Sequence, residues 1–261
     1  MESSPVHRCF LNRSGGGYST LAGYMAAGEL LVELRGVSKD FRGLRPLRIQ
    51  HLEIRDREST ALLGIDAAMS EVLINLITGA QLPDEGQVIV FGRPTTSITA
   101  VDDWVVELDR FGLISDRAVL VDQFTTDQNL ALPLSLEIED MPESVRREVG
   151  RLAVEVGLTT EELSLPTAAL GPAAQLRLRL GRALALRPRV LLAEHPNASL
   201  SRDESPRFAK DFARITSDRG LASLLTTVDA SFANSAAGRV LEFEPATGAL
   251  KGVSWLRRWF S

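Results

Sequence analysis

The stretch ALLGIDAAMSEVLINLITG, Ala61–Gly79, reads as a short apolar strand, a tight turn and an amphipathic helix. Strand, turn and helix in that order are the setting of the phosphate-cradling loop GxxxxGK(S/T). There, backbone N–H groups point inward, a lysine meets the β- and γ-phosphates, and a Ser or Thr oxygen ligates Mg²⁺. Gly64 holds the first glycine position, but Met69 stands at the second glycine, Ser70 at the lysine and Glu71 at the metal-binding hydroxyl. Three requirements fail together, and an acid enters. A non-glycine residue at positive φ costs on the order of 1–2 kcal/mol, whereas Asp66 is a good N-cap and Ala67 and Ala68 are strong helix formers. With Met69, Val72, Leu73 and Leu76 on one face, the pattern predicts a helix that starts just after Asp66 and fills part of the space a phosphate would take. Glu71 complements the helix dipole near that end and would repel a triphosphate.

Elsewhere the chain holds VELRGVSKDF (Val32–Phe41), LPDEGQVIVFG (Leu82–Gly92), QNLALPL (Gln128–Leu134), LGRALALRPRVLLAEHPNASL (Leu180–Leu200), LLTTVD (Leu224–Asp229) and GRVLEFE (Gly238–Glu244). In order and spacing these segments resemble the ATP-binding cassette family, the nucleotide-binding subunits that drive ABC transporters. They are similar to its opening strand, the strand pair after the first helix, the start of the helical subdomain, the helix, Walker B strand and D-loop that follow the signature motif, and its last strands. The resemblance runs from about Leu31 to Gly252. It implies an α/β fold, a P-loop NTPase-like cassette with a mixed sheet, a helix-covered core and a smaller helical subdomain. The expected domain is 29–253, with the helical subdomain at about 100–166. Periodicity agrees: ALLGI and RVLLAEH are short apolar runs of the buried-strand kind, and Ser144–Val156 places Val145, Val149, Leu152, Ala153 and Val156 on one helical face. Strands alternating with helices argue for a parallel, helix-covered sheet.

The 261 residues suffice for one large α/β domain or two small lobes. A net charge of −5 gives no general pull toward nucleic acid or anionic lipid. No apolar run approaches the roughly 18 residues that span a membrane. The single cysteine, Cys9, excludes an internal disulfide and fits a reducing cytosol. Residues 1–28, rich in small residues, read as a flexible N-terminal extension without a secretory signal. The C-terminal tail 254–261 concentrates Trp255, Leu256, Trp259 and Phe260, which either fold back on their own sheet or form a docking patch for a partner or a membrane surface.

The resemblance also assigns positions to an ATP site. Phe41 stands where an aromatic stacks on adenine, although a lone aromatic after a strand is as often core. Gly64, Asp66, Ala67, Met69, Ser70 and Glu71 occupy the phosphate loop. Asp116 falls where the family has the glutamine that contacts Mg²⁺ and the permease, and Gln123, further on, belongs to the following loop. The signature LSGGQ is replaced by Leu170, Gly171, Pro172, Ala173 and Ala174; Pro172 has no N–H to give a phosphate, and it equally reads as the start of a helix. Glu194 stands at the Mg²⁺-associated aspartate and His195 at the catalytic glutamate. A histidine can act as a general base, but packing or hydrogen bonding is its default role. Ser201 replaces the D-loop aspartate and Val228 the switch histidine, and valine cannot bond a γ-phosphate. These are therefore vestigial positions, with no catalytic residue and no metal ligand expected; His7, His51 and His195 lack metal-ligand spacing. Arg177, Arg179, Arg182, Arg187 and Arg189 read as a solvated or acid-paired helix face rather than a nucleic-acid surface.

Cassettes of this family work as head-to-tail dimers, with each ATP between one subunit's Walker motifs and the other's signature. This chain would contribute a damaged half to either site. The resulting expectation is a pseudo-ATPase: a degenerate subunit that has lost ATP and Mg²⁺ and acts as a scaffold or regulator in a membrane-associated ABC-type complex. It would lie in the cytoplasm, peripheral to the inner membrane, as a homo- or heterodimer, with an ABC permease or another ABC subunit as partner. The alternatives are an active ATPase that uses atypical residues, Glu194 or His195 among them, and a soluble sensor of a smaller ligand that uses Phe41 in a remodelled cleft.

Overall fold

A computed structural model describes residues 28–98 and 100–253. The extension expected over 1–28, Gly28 apart, and the aromatic tail 254–261 lie outside the described residues.

Two sheets divide the strands. The antiparallel sheet comprises β1 (Leu30–Lys39), β2 (Leu47–Arg55), β4 (Glu85–Val90) and β5 (Arg93–Pro94), in the order β2-β1-β4-β5. The larger sheet contains β3 (Ser59–Leu63), β6 (Phe111–Ile114), β7 (Val190–Glu194), β8 (Ala222–Thr227), β9 (Arg239–Glu244) and β10 (Ala249–Gly252), in the order β10-β9-β3-β8-β7-β6. Its pairings are parallel except for the antiparallel β10–β9 edge, so the sheet is mixed as expected.

Alternation of side chains along a strand sends successive residues to opposite faces. In β7, Val190 and Leu192 join one core while Leu191 and Ala193 join the other. The first core lies between the two sheets and encloses α1 (Ala67–Ile77), which is buried on more than one side. The second is covered by α3 (Thr126–Ala131), α4 (Glu143–Val156), α6 (Pro172–Ala185), α7 (Glu204–Asp218) and α8 (Ala230–Ala236). Burial on both faces explains why the strands read as unbroken apolar runs. In α4, Val149, Leu152, Ala153 and Val156 are buried and Val145 packs beside them, the face the periodicity predicts.

The stretch of about 100–166, expected as the helical subdomain, includes a strand of the core sheet. After α2 (Val101–Leu108), β6 pairs in parallel with β7, Phe111 opposite Val190 and Ile114 opposite Ala193. Four residues are too few to show a period. Gly112 permits the placement, since a Cβ there would come within 2.5 Å of the Ala183 carbonyl oxygen. The helical region proper is therefore α3, α4 and the short α5 (Thr160–Ser164), completed by α6 from beyond the expected range. Among the described residues, no helix is long and apolar enough to cross a membrane.

Candidate functional site

The carboxyl ends of β3, β7 and β8 meet where ligands bind in open α/β sheets. β3 leads into Gly64, whose φ of +88° favours glycine and whose N–H donates to the Thr227 carbonyl at 3.0 Å. Helix α1 begins at Ala67. The Asp66 carboxylate accepts the Met69 N–H at 2.8 Å, and the Asp66 carbonyl accepts the Ser70 N–H at 2.9 Å. Ala67 and Met69 are thus already helical, as the capping pattern predicts. Met69 is buried in the core. Ser70 is fully buried, its Oγ 2.7 Å from Thr226 Oγ1. Where a phosphate-binding lysine would project, there is a short hydroxyl locked against β8.

Glu194 ends β7 with a side chain only 11% exposed. Its Oε2 accepts the Ser115 hydroxyl at 2.7 Å and Arg117 Nε at 3.2 Å, and its Oε1 accepts Arg117 Nη2 at closer range. The other terminal nitrogen of Arg117 reaches Glu71 Oε1 at 3.3 Å and Asn75 Oδ1 at 3.4 Å on α1. Glu71 and Glu194, two of the three positions that the resemblance gives to metal contact, are therefore bridged by one guanidinium. The hydrogen bond to Glu194 raises the pKa of Arg117 above its usual range.

Ser115 and Arg117 were not singled out in the sequence. Asp116, which was, carries a side chain 79% exposed whose ion pair is with Arg179 at 3.5 Å. The available signal was the acid at the end of VLLAE, which needs a counter-charge, and an arginine just past the neighbouring strand.

Of the remaining expected positions, His195 lines one small cavity with Asp116 and Glu194. His195 has a φ of +43°, and its N–H donates to the Thr226 carbonyl at 3.1 Å, while its Nε2 is buried without a hydrogen-bond partner among the described residues. Val228, just past β8, is 71% exposed. Leu170 is buried, Gly171 is the N-cap of α6, Pro172 is its first residue and Ala173 its second, so this segment is a proline-initiated helix. Ser201 exchanges hydrogen bonds with Glu204 at the start of α7. Phe41 is partly buried against the core of the antiparallel sheet, its ring close over Gly43.

Folding also gathers His51 with Glu53, at 3.2 Å, and Glu33, at 3.7 Å, across β1 and β2. Arg35 and Arg55 already engage those two carboxylates. Of the arginine run, Arg177 pairs with Asp211 at 2.7 Å and Arg189 with Glu29 at 2.6 Å.

This donor set does not match a Mg²⁺-triphosphate. It offers no lysine at the start of α1 and no metal-binding hydroxyl there, and a cation already lies across the two acids.

The architecture is that of an ABC transporter ATPase cassette. It superposes on the dimeric structure of MJ0796, a bacterial ABC transporter cassette, with a TM-score of 0.72 at 19% identity over 86% of this chain and 99% of that one. CbiO1 from Clostridium perfringens, part of the ABC transporter complex cbiONQ, gives 0.72 at 16% identity over 87% and 88%. In sequence, the chain is 26% identical over 201 residues to the ABC transporter ATP-binding protein YtrE of Bacillus subtilis (strain 168), covering 77% of this chain and 85% of that one. It is 28% identical over 226 residues to the methionine import ATP-binding protein MetN of Brucella abortus (strain 2308), covering 86% of this chain and 60% of MetN. The sulfate/thiosulfate import ATP-binding protein CysA of Pseudomonas syringae pv. tomato is 28% identical over 216 residues, and the chain spans 63% of its length. No family model matches the chain. The sequence relatives and the fold together support the ABC transporter ATP-binding cassette family.

Proposed function

We propose that this chain is a degenerate cassette subunit of a membrane-associated ABC-type complex, a scaffold or regulator that does not turn over ATP. The observation that carries the reading is the Arg117 bridge between Glu194 and Glu71. In a working cassette, bound metal and phosphate would balance the charges at these positions. Here a covalently attached cation does so, and it ties α1, the end of β7 and the loop after β6 together. The buried Ser70 and the early start of α1 support the same reading.

The relatives support a partner class. CbiO1 is described as part of a transporter complex and MJ0796 as a dimer; for this chain we infer a permease or another ABC subunit, met at the cytoplasmic face of the membrane, as a homo- or heterodimer. A second reading, an ATP-hydrolysing transport subunit, is favoured by one observation: its sequence relatives are named as ATP-binding proteins. It requires Arg117 to leave Glu194.

Calorimetry of ATP binding with and without Mg²⁺ separates the two. The expected result is no binding by the natural protein. A control carrying Met69→Gly, Ser70→Lys, Glu71→Ser and Arg117→Gln should gain binding. Micromolar binding by the natural protein, with Mg²⁺-ATP hydrolysis that disappears in Glu194→Gln or His195→Ala, would overturn the proposal.

A further inference from the structure

We infer that the amino end of the larger sheet binds a small organic anion carrying two phosphate groups, one held by Arg57 and the other by Arg187. Two neighbouring cavities open there, of about 650 and 510 Å³. Arg57 and Ser217 help to line the first, Arg187 and Pro188 the second, and both share Arg219 and Leu221. Leu221 lies just before β8 and Pro188 just before β7. The cavities are therefore at the opposite end of these strands from Glu194 and Val228, and the proposal is independent of whether the chain turns over ATP.

The backbone at the two arginines is unusual. Arg57 has a φ of +61° and is the third residue of a turn in which the Glu58 N–H donates to the Arg55 carbonyl at 3.0 Å. Positive φ at that position favours Gly or Asn. Arg187 has a φ of +53° and follows Leu186, the C-cap of α6, where Gly is the usual residue. Both turns thus carry an arginine where the local geometry disfavours its Cβ. Strain of this kind gathers at ligand sites, and both residues line the cavities.

The same two cations have charge to spare. Arg219 gives its guanidinium to both oxygens of Glu155 and to the Leu184 carbonyl, and Arg151, on the wall of the second cavity, is bound to Glu148 and Glu155. Asp218, the acid on the wall of the first cavity, pairs with Arg214 at 3.6 Å. Arg57 is 79% exposed, and its one ion pair among the described residues is with Asp56 at 3.7 Å. Arg187 forms no ion pair among the described residues, and Glu148 feels its charge from a distance. Arg57 lies beside the turn shared by the two cavities, since a Cβ on Gly220 would stand 3.7 Å from its Nε. A ligand with a phosphate on each side of that turn would meet one open guanidinium fork at each end. Buried Leu221, common to both cavities, offers its carbon skeleton an apolar wall.

The test is calorimetry of the full-length protein with alkanediol bisphosphates of increasing chain length and with the matching monophosphates. Binding should peak at one chain length, and the matching monophosphate should bind about tenfold more weakly or worse. Arg57→Gln and Arg187→Gln should each reduce the bisphosphate to the affinity of the monophosphate, and Arg57→Lys/Arg187→Lys should retain part of the binding. Arg57→Gly and Arg187→Gly should lose binding yet melt no lower than the natural protein, because glycine suits both turns. No binding at millimolar concentration, no preference for the bisphosphate over the monophosphate, or equal binding by the Gln variants would overturn the inference. So would glycine variants that melt lower and bind normally, because the arginines would then serve the turns and not a ligand.

Discussion

Arg117 and Glu194 face each other across the gap between the loop after β6 and the end of β7, joined through two guanidinium nitrogens and both carboxylate oxygens. Ser115 completes the shell of Glu194, and Glu71 balances the far side of Arg117. A side chain that is half in solvent thereby fixes an acid that is nearly buried. The pair joins segments 77 residues apart in the chain.

Arg117→Met should leave Glu194 with Ser115 as its main partner and lower stability by about 1–3 kcal/mol. Combining it with Glu194→Gln should cost less than the two single changes added together, because the unpaired charge is gone. Urea unfolding of the four proteins measures the coupling, and simple additivity would mean that the bridge contributes little.

Asp66→Ala removes the acceptor of the Met69 N–H and should cost about 1 kcal/mol, with Asp66→Asn close to the natural protein. Thermal unfolding monitored by circular dichroism would show the ordering. An Ala variant as stable as the natural protein would mean that the cap does not set the start of α1.

Ser70→Lys would push an ammonium group into a fully buried site beside Thr226 and should destabilise the protein by about 3 kcal/mol or more. Chemical denaturation measures this. A cost below about 1 kcal/mol would mean that the start of α1 opens readily enough to let the lysine out.

Glu155 accepts two hydrogen bonds from Arg219, with both side chains mostly buried. The hydrogen bond from Arg219 holds its carboxyl below the usual range. A depressed folded-state pKa contributes stability above the unfolded value, roughly 4.3 for a glutamate, and loses it as pH falls through the folded value. Glu155→Gln should therefore be less stable by about 1–3 kcal/mol between pH 6 and 8. The gap should close as the pH drops below about 4. A gap independent of pH would show that the loss is one of packing.

Much of this fold was legible in the sequence because its signals act over a few residues. The Asp66 cap and the two alanines after it set where α1 starts, Pro172 opens α6, and VLLAE declares a strand buried on both faces. Hydrogen bonds from residue i to i+3 or i+4, and the helical and strand periods, are local physics and are written locally. Other features depended on the way the chain crosses itself. FGLI is too short to reveal its period, so only the sheet edge beside β7 made it a strand. Nothing near Arg117 in sequence tells which acids it will meet, since Glu71 lies 46 residues away and Glu194 lies 77. Asp116 is the position that the resemblance marks after that strand, and only the fold shows that its ion pair is with Arg179. The sequence determined most of the elements and the absence of the usual phosphate-binding side chains. Tertiary structure decided which charge took their place, because ion pairing depends on distance in space and on burial, and neither is set by neighbours in the chain.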